Sequence, residues 1–272
     1  MFKKIIVGYC VFSLLASPCL ASLNFNGTTH VVNHGSAASL DGIRTITILA
    51  WVQTDQTGDV DMIIAVKGSN LGARFGLNPI GAAVAEIPRA TVFLTINAPL
   101  GNLASYGANK WVYLAVSMDT AGADGDQVIL CGDLNTIATE PSSYNAQAVG
   151  SGADSDDSAA DMTVGRLDDN FRWRGEMASI MIFDTAFSVA EIQAQQFSPI
   201  PIQQPVLYVN YGFNGTGTQI DLSGQAVANN GTVTGATVAD HVPLRPPFGF
   251  HDERVFVVAP AAVRRRPPIV MP

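Results

Sequence analysis

Trp173-Arg174-Gly175-Glu176-Met177-Ala178-Ser179-Ile180-Met181-Ile182-Phe183, preceded by Val164-Gly165-Arg166 and followed by Ala186-Phe187-Ser188 and Glu191-Ile192, sets the architecture of this chain. The run from Ala178 to Phe183 reads as a strand, because a short apolar run bounded by turn residues fits a β-strand better than a helix. Ser188 with Glu191 three positions on forms a capping box, so one helical turn is predicted there and Glu191 is a capping residue before it is anything else.

Working outward, further strands are predicted at Thr45 to Val52, Met62 to Val66, Thr91 to Ile96, Trp111 to Met118 and Gln127 to Leu130. Alternation such as Thr45-Ile46-Thr47-Ile48 places one face of a sheet in a core. Gly58-Asp59, the run from Ala121 to Asp126, and Ser151-Gly152-Ala153-Asp154 are turn clusters between them. Many short strands with intervening turns point to an all-β sandwich or barrel.

The chain has 272 residues, 47% of them hydrophobic and only 14% charged. An average soluble domain carries roughly 25% charged residues, so the deficit favours short strands over charge-decorated helices. The formal charge of -8 leaves no basic field for a polyanion, and nucleic acid is excluded as an expected partner. Lys3 and Lys4, the apolar run from Ile5 to Ala16, and Ser17-Pro18-Cys19-Leu20-Ala21 read as an export signal cut after Ala21. Cleavage would remove Cys10 and Cys19 and leave Cys131 alone, so no disulfide and no stable membrane span is expected in the mature chain. The expected organisation is a signal over residues 1–21, a sandwich over 22–199, an accessory β segment over 200–244 and a Pro- and Arg-rich tail over 245–272.

Four stretches resemble, in order, the concanavalin A-like lectin and glucanase superfamily, and within it laminin-G-like domains. They are Leu23-Asn24-Phe25-Asn26-Gly27-Thr28, the Ala50-Trp51-Val52 ending of a second strand, the Trp-led strand Asn109-Lys110-Trp111-Val112-Tyr113-Leu114-Ala115-Val116, and the stretch quoted at the outset. The resemblance implies an antiparallel jelly-roll β-sandwich with a short C-terminal accessory segment. It also implies lectin-like binding at rim loops, in some relatives with calcium.

Glycosidases of this superfamily use clustered carboxylates. The glutamates here are Glu86, Glu140, Glu176, Glu191 and Glu253, and none has an acidic neighbour two or four positions away. No nucleophile elbow, zinc-protease motif or phosphate loop is present, so binding is favoured over catalysis. The acidic loop Asp154, Asp156 and Asp157 offers oxygen ligands of the kind calcium takes, with Asp168 and Asp169 as a second group; the competing reading is a solvated loop. His30 and His34 read as a solvent-facing pair. Trp51 and Trp111 are assigned to the core. Trp173 between Arg172 and Arg174 is the candidate for stacking on a sugar, against the alternative of a ring covering a sheet edge.

The expectation that results is a secreted, periplasmic or cell-surface binding module for carbohydrate or an extracellular protein ligand, with calcium the only cofactor considered. The alternatives are a self-associating structural protein and, third, a glycan-active hydrolase or lyase.

Overall fold

In the computed structural model the described residues are 22–54, 62–68, 71–98, 109–122, 126–168, 171–211 and 215–239. The export signal, the tail and Asp169 lie outside them. Fifteen strands and one helix follow one another: β1 (Ser22–Asn26), β2 (Val31–Asn33), β3 (Thr45–Thr54), β4 (Met62–Lys67), β5 (Arg74–Leu77), β6 (Ala83–Ile87), β7 (Leu94–Asn97), β8 (Lys110–Asp119), β9 (Val128–Asp133), β10 (Ala146–Ala148), β11 (Met162–Val164), β12 (Arg174–Phe183), α1 (Val189–Gln195), β13 (Leu207–Asn210), β14 (Thr232–Thr234) and β15 (Thr237–Ala239). They build two antiparallel sheets. The seven-stranded sheet runs β15-β1-β12-β3-β8-β9 with β13 also on β12, and the eight-stranded sheet runs β10-β7-β6-β5-β4-β11-β2-β14.

The core lies between the sheets, and strand alternation decides what enters it. In β6, Ala83, Ala85 and Ile87 point inward while Val84 and Glu86 point out, and in β7 Leu94 and Ile96 go in while Thr95 and Asn97 go out. β3 and β8 are buried on both faces, which is why they are the most continuously apolar strands. Their inward residues, such as Ile48, Ala50, Leu114 and Val116, meet the other sheet. Their outward residues, among them Leu49, Trp51, Trp111, Tyr113 and Ala115, form a second apolar cluster with Phe187 and Ile192 around α1. The helix begins as the sequence predicts. Ser188 Oγ accepts from the Glu191 N–H, and the Glu191 carboxylate accepts from the Ser188 N–H at 2.8 Å.

Trp173 is the first inward residue of the long closing strand region. Its N–H donates to the Gly165 carbonyl at 2.6 Å, and its ring is 0% exposed in the inter-sheet core. Gly165 has φ +84°, and a Cβ there would stand 2.3 Å from the Phe25 ring, so only glycine fits.

The segment after Pro199, expected as a small module of its own, is built into both sheets. β13 pairs with β12, β14 with β2 and β15 with β1. Its polar residues lock it in place: Asp221 accepts from the N–H groups of Tyr208, Ser223 and Asn229, and the Asn229 amide donates to the Val206 carbonyl. His34, which the sequence places in solvent beside His30, is 4% exposed because this segment covers it. Its Nδ1 is 2.7 Å from the Asn229 carbonyl and its Nε2 3.2 Å from the Tyr211 hydroxyl. The ring is therefore the Nδ1–H tautomer, donating to the carbonyl and accepting from the phenol, and burial pushes its pKa down from the ordinary value.

Candidate functional site

The outward face of the eight-stranded sheet carries a groove over β4, β5, β6 and β7. Strand register fixes its contents. Ile63, Gly76, Val84 and Asn97 sit opposite one another in one row, and Val66, Arg74, Glu86 and Thr95 in the next. Gly76 has no side chain, so the first row dips between Ile63 and Val84 and makes the floor. The cavity amounts to about 220 Å3 and is also bounded by Asn78 and Phe171. Pockets for drug-sized ligands start at roughly 300 Å3, so this is a shallow platform suited to one ring of a chain.

Arg74 Nε donates to Glu86 Oε2 at 2.8 Å, and its Nη2 is closer still to the same oxygen. The guanidinium lies 5.2 Å from the centre of the Phe171 ring. A planar cation held by a carboxylate on one edge and an aromatic face on another is pre-oriented, and its remaining N–H groups are available to a ligand. The loop bearing Phe171 is fixed by the Leu167 N–H donating to the Phe171 carbonyl and by Asp168 accepting from the Phe171 N–H. In the floor, Asn97 Oδ1 is buried and has no hydrogen-bond partner among the described residues. An unsatisfied buried acceptor costs about 1–3 kcal/mol.

The residues expected from sequence to act together do not. Trp173 is wholly buried, so it presents no face to a sugar; strand alternation turns it inward while Arg174 is exposed and Arg172 half-buried. The acidic loop is tied down by arginines. Asp154 and Asp157 both pair with Arg44, at 3.4 and 3.6 Å, and Asp154 pairs also with Arg89. Asp157 further accepts from the Gly42 N–H, and Asp156 accepts from the hydroxyl and N–H of Ser158, which hold its carboxyl below the usual range. Among the described residues no three His, Cys, Asp or Glu side chains come together to hold a metal. The described glutamates have structural partners: Glu86 pairs with Arg74, Glu140 accepts from Tyr144, Glu176 from Ser22, and Glu191 caps the helix.

The sequence reading missed Arg74, Gly76, Glu86, Asn97 and Phe171. The alternation in Arg74-Phe75-Gly76-Leu77 and Ala83-Val84-Ala85-Glu86-Ile87 was the available signal, with one outward charge of each sign on adjacent strands.

Two antiparallel sheets enclosing one core, closed by a capped helical turn, define a jelly-roll sandwich of the concanavalin A kind. The chain belongs to the concanavalin A-like lectin/glucanases superfamily: the family's laminin-G model matches residues 26–193, well over half of the 272. Among solved structures, it is similar to a candidate carbohydrate-binding protein of Bacteroides ovatus, with TM-score 0.57 and 16% identity over 82% of this chain and 60% of that one. It also resembles a pentraxin of Limulus polyphemus (TM-score 0.44, 13% identity, 66% and 82% coverage) and the mouse laminin alpha1 LG4-5 domains (0.40, 11%, 62% and 43%). The chain thus spans less than two thirds of the Bacteroides protein. No curated protein sequence matches it. Among the described residues no helix is long and apolar enough to cross a membrane.

Proposed function

We propose that the chain is an exported binding module that holds carbohydrate in the groove over β4–β7. The observation that carries this reading is the Arg74–Glu86 pair braced by Phe171 beside a glycine floor and the Asn97 side-chain amide, whose Oδ1 has no partner among the described residues. Sugar hydroxyls donate and accept at once, and the groove offers both: guanidinium N–H donors, carboxylate and amide acceptors, and an aromatic wall for C–H faces. The paired charges cancel, so neutral glycans are preferred over anionic ones. The Bacteroides protein is itself only a candidate carbohydrate-binding protein, and it supports the reading by analogy of fold alone. The lysine-led apolar segment before Ser22 supports export to the periplasm, the cell surface or the medium.

A shallow platform with few hydrogen bonds binds weakly, with a dissociation constant on the order of 0.1–1 mM per site, or about 4–5.5 kcal/mol. The test is a glycan array probed with the full chain and with Phe171→Ala and Asn97→Leu. Binding to neutral glycans that falls about tenfold in each variant supports the reading. Binding to none, or binding unchanged by both, refutes it.

A further inference from the structure

A second cavity lies on the opposite side of the sandwich, against the outward face of the seven-stranded sheet. Its volume is about 300 Å3. The floor consists of two neighbouring rows set by strand register. Asn210, Ser179, Trp51 and Tyr113 lie across β13, β12, β3 and β8, and Tyr208, Met181 and Leu49 lie beside them. The roof is the chain leaving α1, through Phe197 to Pro199.

Polar anchors hold that roof at a fixed height. Trp51 Nε1 donates to the Gln196 carbonyl at 3.0 Å, Tyr208 Oη donates to the Pro199 carbonyl at 2.9 Å, and Tyr113 Oη donates to the Ile192 carbonyl at 3.3 Å. Gln195, 2% exposed, ties the turn to itself through bonds to the Ser198 carbonyl and the Ile202 N–H. The space cannot close without breaking these bonds. Interior space is normally filled, and empty volume loses dispersion contacts on every wall. A preformed apolar cavity whose roof is held by hydrogen bonds can receive a ligand without first being opened.

The lining specifies what enters. Three aromatic rings pack into one wall: Trp51 lies against Tyr113 at 5.4 Å and against Phe197 at 6.0 Å between centroids, both pairs tilted, so the wall presents aromatic surface to a guest lying on it. No charged side chain is among the lining residues, so a carboxylated lipid or an ammonium compound would enter without a counter-ion. Ser179 and Asn210, paired across β12 and β13, are half-buried and line the cavity, where they supply its polar edge. An apolar cavity of about 150 Å3 is enough for benzene, so twice that volume holds a body of about two fused rings.

We propose that this cavity binds a small neutral molecule with a planar aromatic body and one polar edge, the body against the Trp51, Tyr113 and Phe197 wall and the edge hydrogen-bonded to Ser179 and Asn210. The site is separate from the glycan groove, and each stands if the other fails.

The experiment titrates the full chain with 2-acetyl-6-dimethylaminonaphthalene, a neutral fluorophore with two fused rings and one carbonyl, and follows probe emission excited through tryptophan. Saturable one-to-one enhancement is expected. Ser179→Phe, which fills the hole, should abolish it, and Asn210→Leu, which removes the polar edge, should weaken it about two- to tenfold. Ser179→Ala serves if Ser179→Phe does not fold, with a two- to tenfold loss again expected. Absence of saturable enhancement, or identical titrations for the wild type and the folded variants, overturns the proposal. Sedimentation of the free chain as a dimer that the probe dissociates also overturns it, because the cavity would then be the seat of a second copy.

Discussion

Replacing Trp173 by alanine separates a core role from a binding role. The ring is 0% exposed between the sheets, and truncating a buried tryptophan costs about 3–5 kcal/mol through lost transfer energy and the cavity left behind. In a domain of this size each kcal/mol lowers the melting temperature by about 2–4 °C, so Trp173→Ala should melt about 6–20 °C below the wild type. The indole Nε1 has no hydrogen-bond partner among the described residues, so Trp173→Phe forfeits volume alone and should cost about half as much. Thermal unfolding followed by circular dichroism gives both numbers, and glycan binding measured well below each melting point should be retained. A Trp173→Ala chain that melts within about 2 °C of the wild type yet has lost glycan binding would refute the reasoning.

Other perturbations test other parts of the packing. Lys67 is 1% exposed with its ammonium 2.6 Å from Asp41, so Asp41→Ala leaves a buried cation unpaired and should cost about 3–5 kcal/mol, while adding Lys67→Met should restore part of it; denaturant melts of the three variants give the coupling. Gly165→Ala meets both the positive φ and the Phe25 ring, and a loss of at least about 1–3 kcal/mol is expected in the same assay. His34 is held neutral below the ordinary imidazole pKa, chiefly by burial and against the pull of the Asn229 carbonyl and Asp221. The unfolded chain takes up a proton from about pH 6.5 downward while the folded chain does not, so stability is full above that pH and falls as pH drops toward the lowered folded value. Melting temperatures at successive pH values should show the fall in the wild type and lose it in His34→Phe. Glu191, held below the usual carboxylate range by the Ser188 N–H and hydroxyl, and Asp156 contribute only at the more acidic end, near and below pH 4, which keeps the two windows apart.

The sandwich could be read from the chain because its strongest strands carry their pattern locally. β3, β8 and β12 are each ten residues long and largely apolar, and the Ser188–Glu191 box is a contact between residues three apart. The site could not be read so easily. β5 and β6 are four and five residues long, and their outward residues are a charge pair, a glycine and one valine, a pattern that in sequence resembles loop. Phe171 and Trp173 are two apart and share their neighbours, and only strand pairing at Gly165 decides that the tryptophan goes in while Phe171 reaches Arg74. The acidic loop looked like a cation site because Arg44, more than a hundred residues away in sequence, neutralises it only after folding. His34 looked exposed for the same reason, since its cover comes from Tyr211 and Asn229.

The central claim is that glycan binds on the open face of the eight-stranded sheet. Amide chemical shifts of the full chain, followed by NMR during titration with a neutral oligosaccharide that the array selects, test it most directly. The account predicts shifts concentrated at Arg74, Gly76, Val84, Glu86, Asn97 and Phe171. Shifts confined to the rim around Arg44 and residues 152–158, with none on the sheet face, would contradict it.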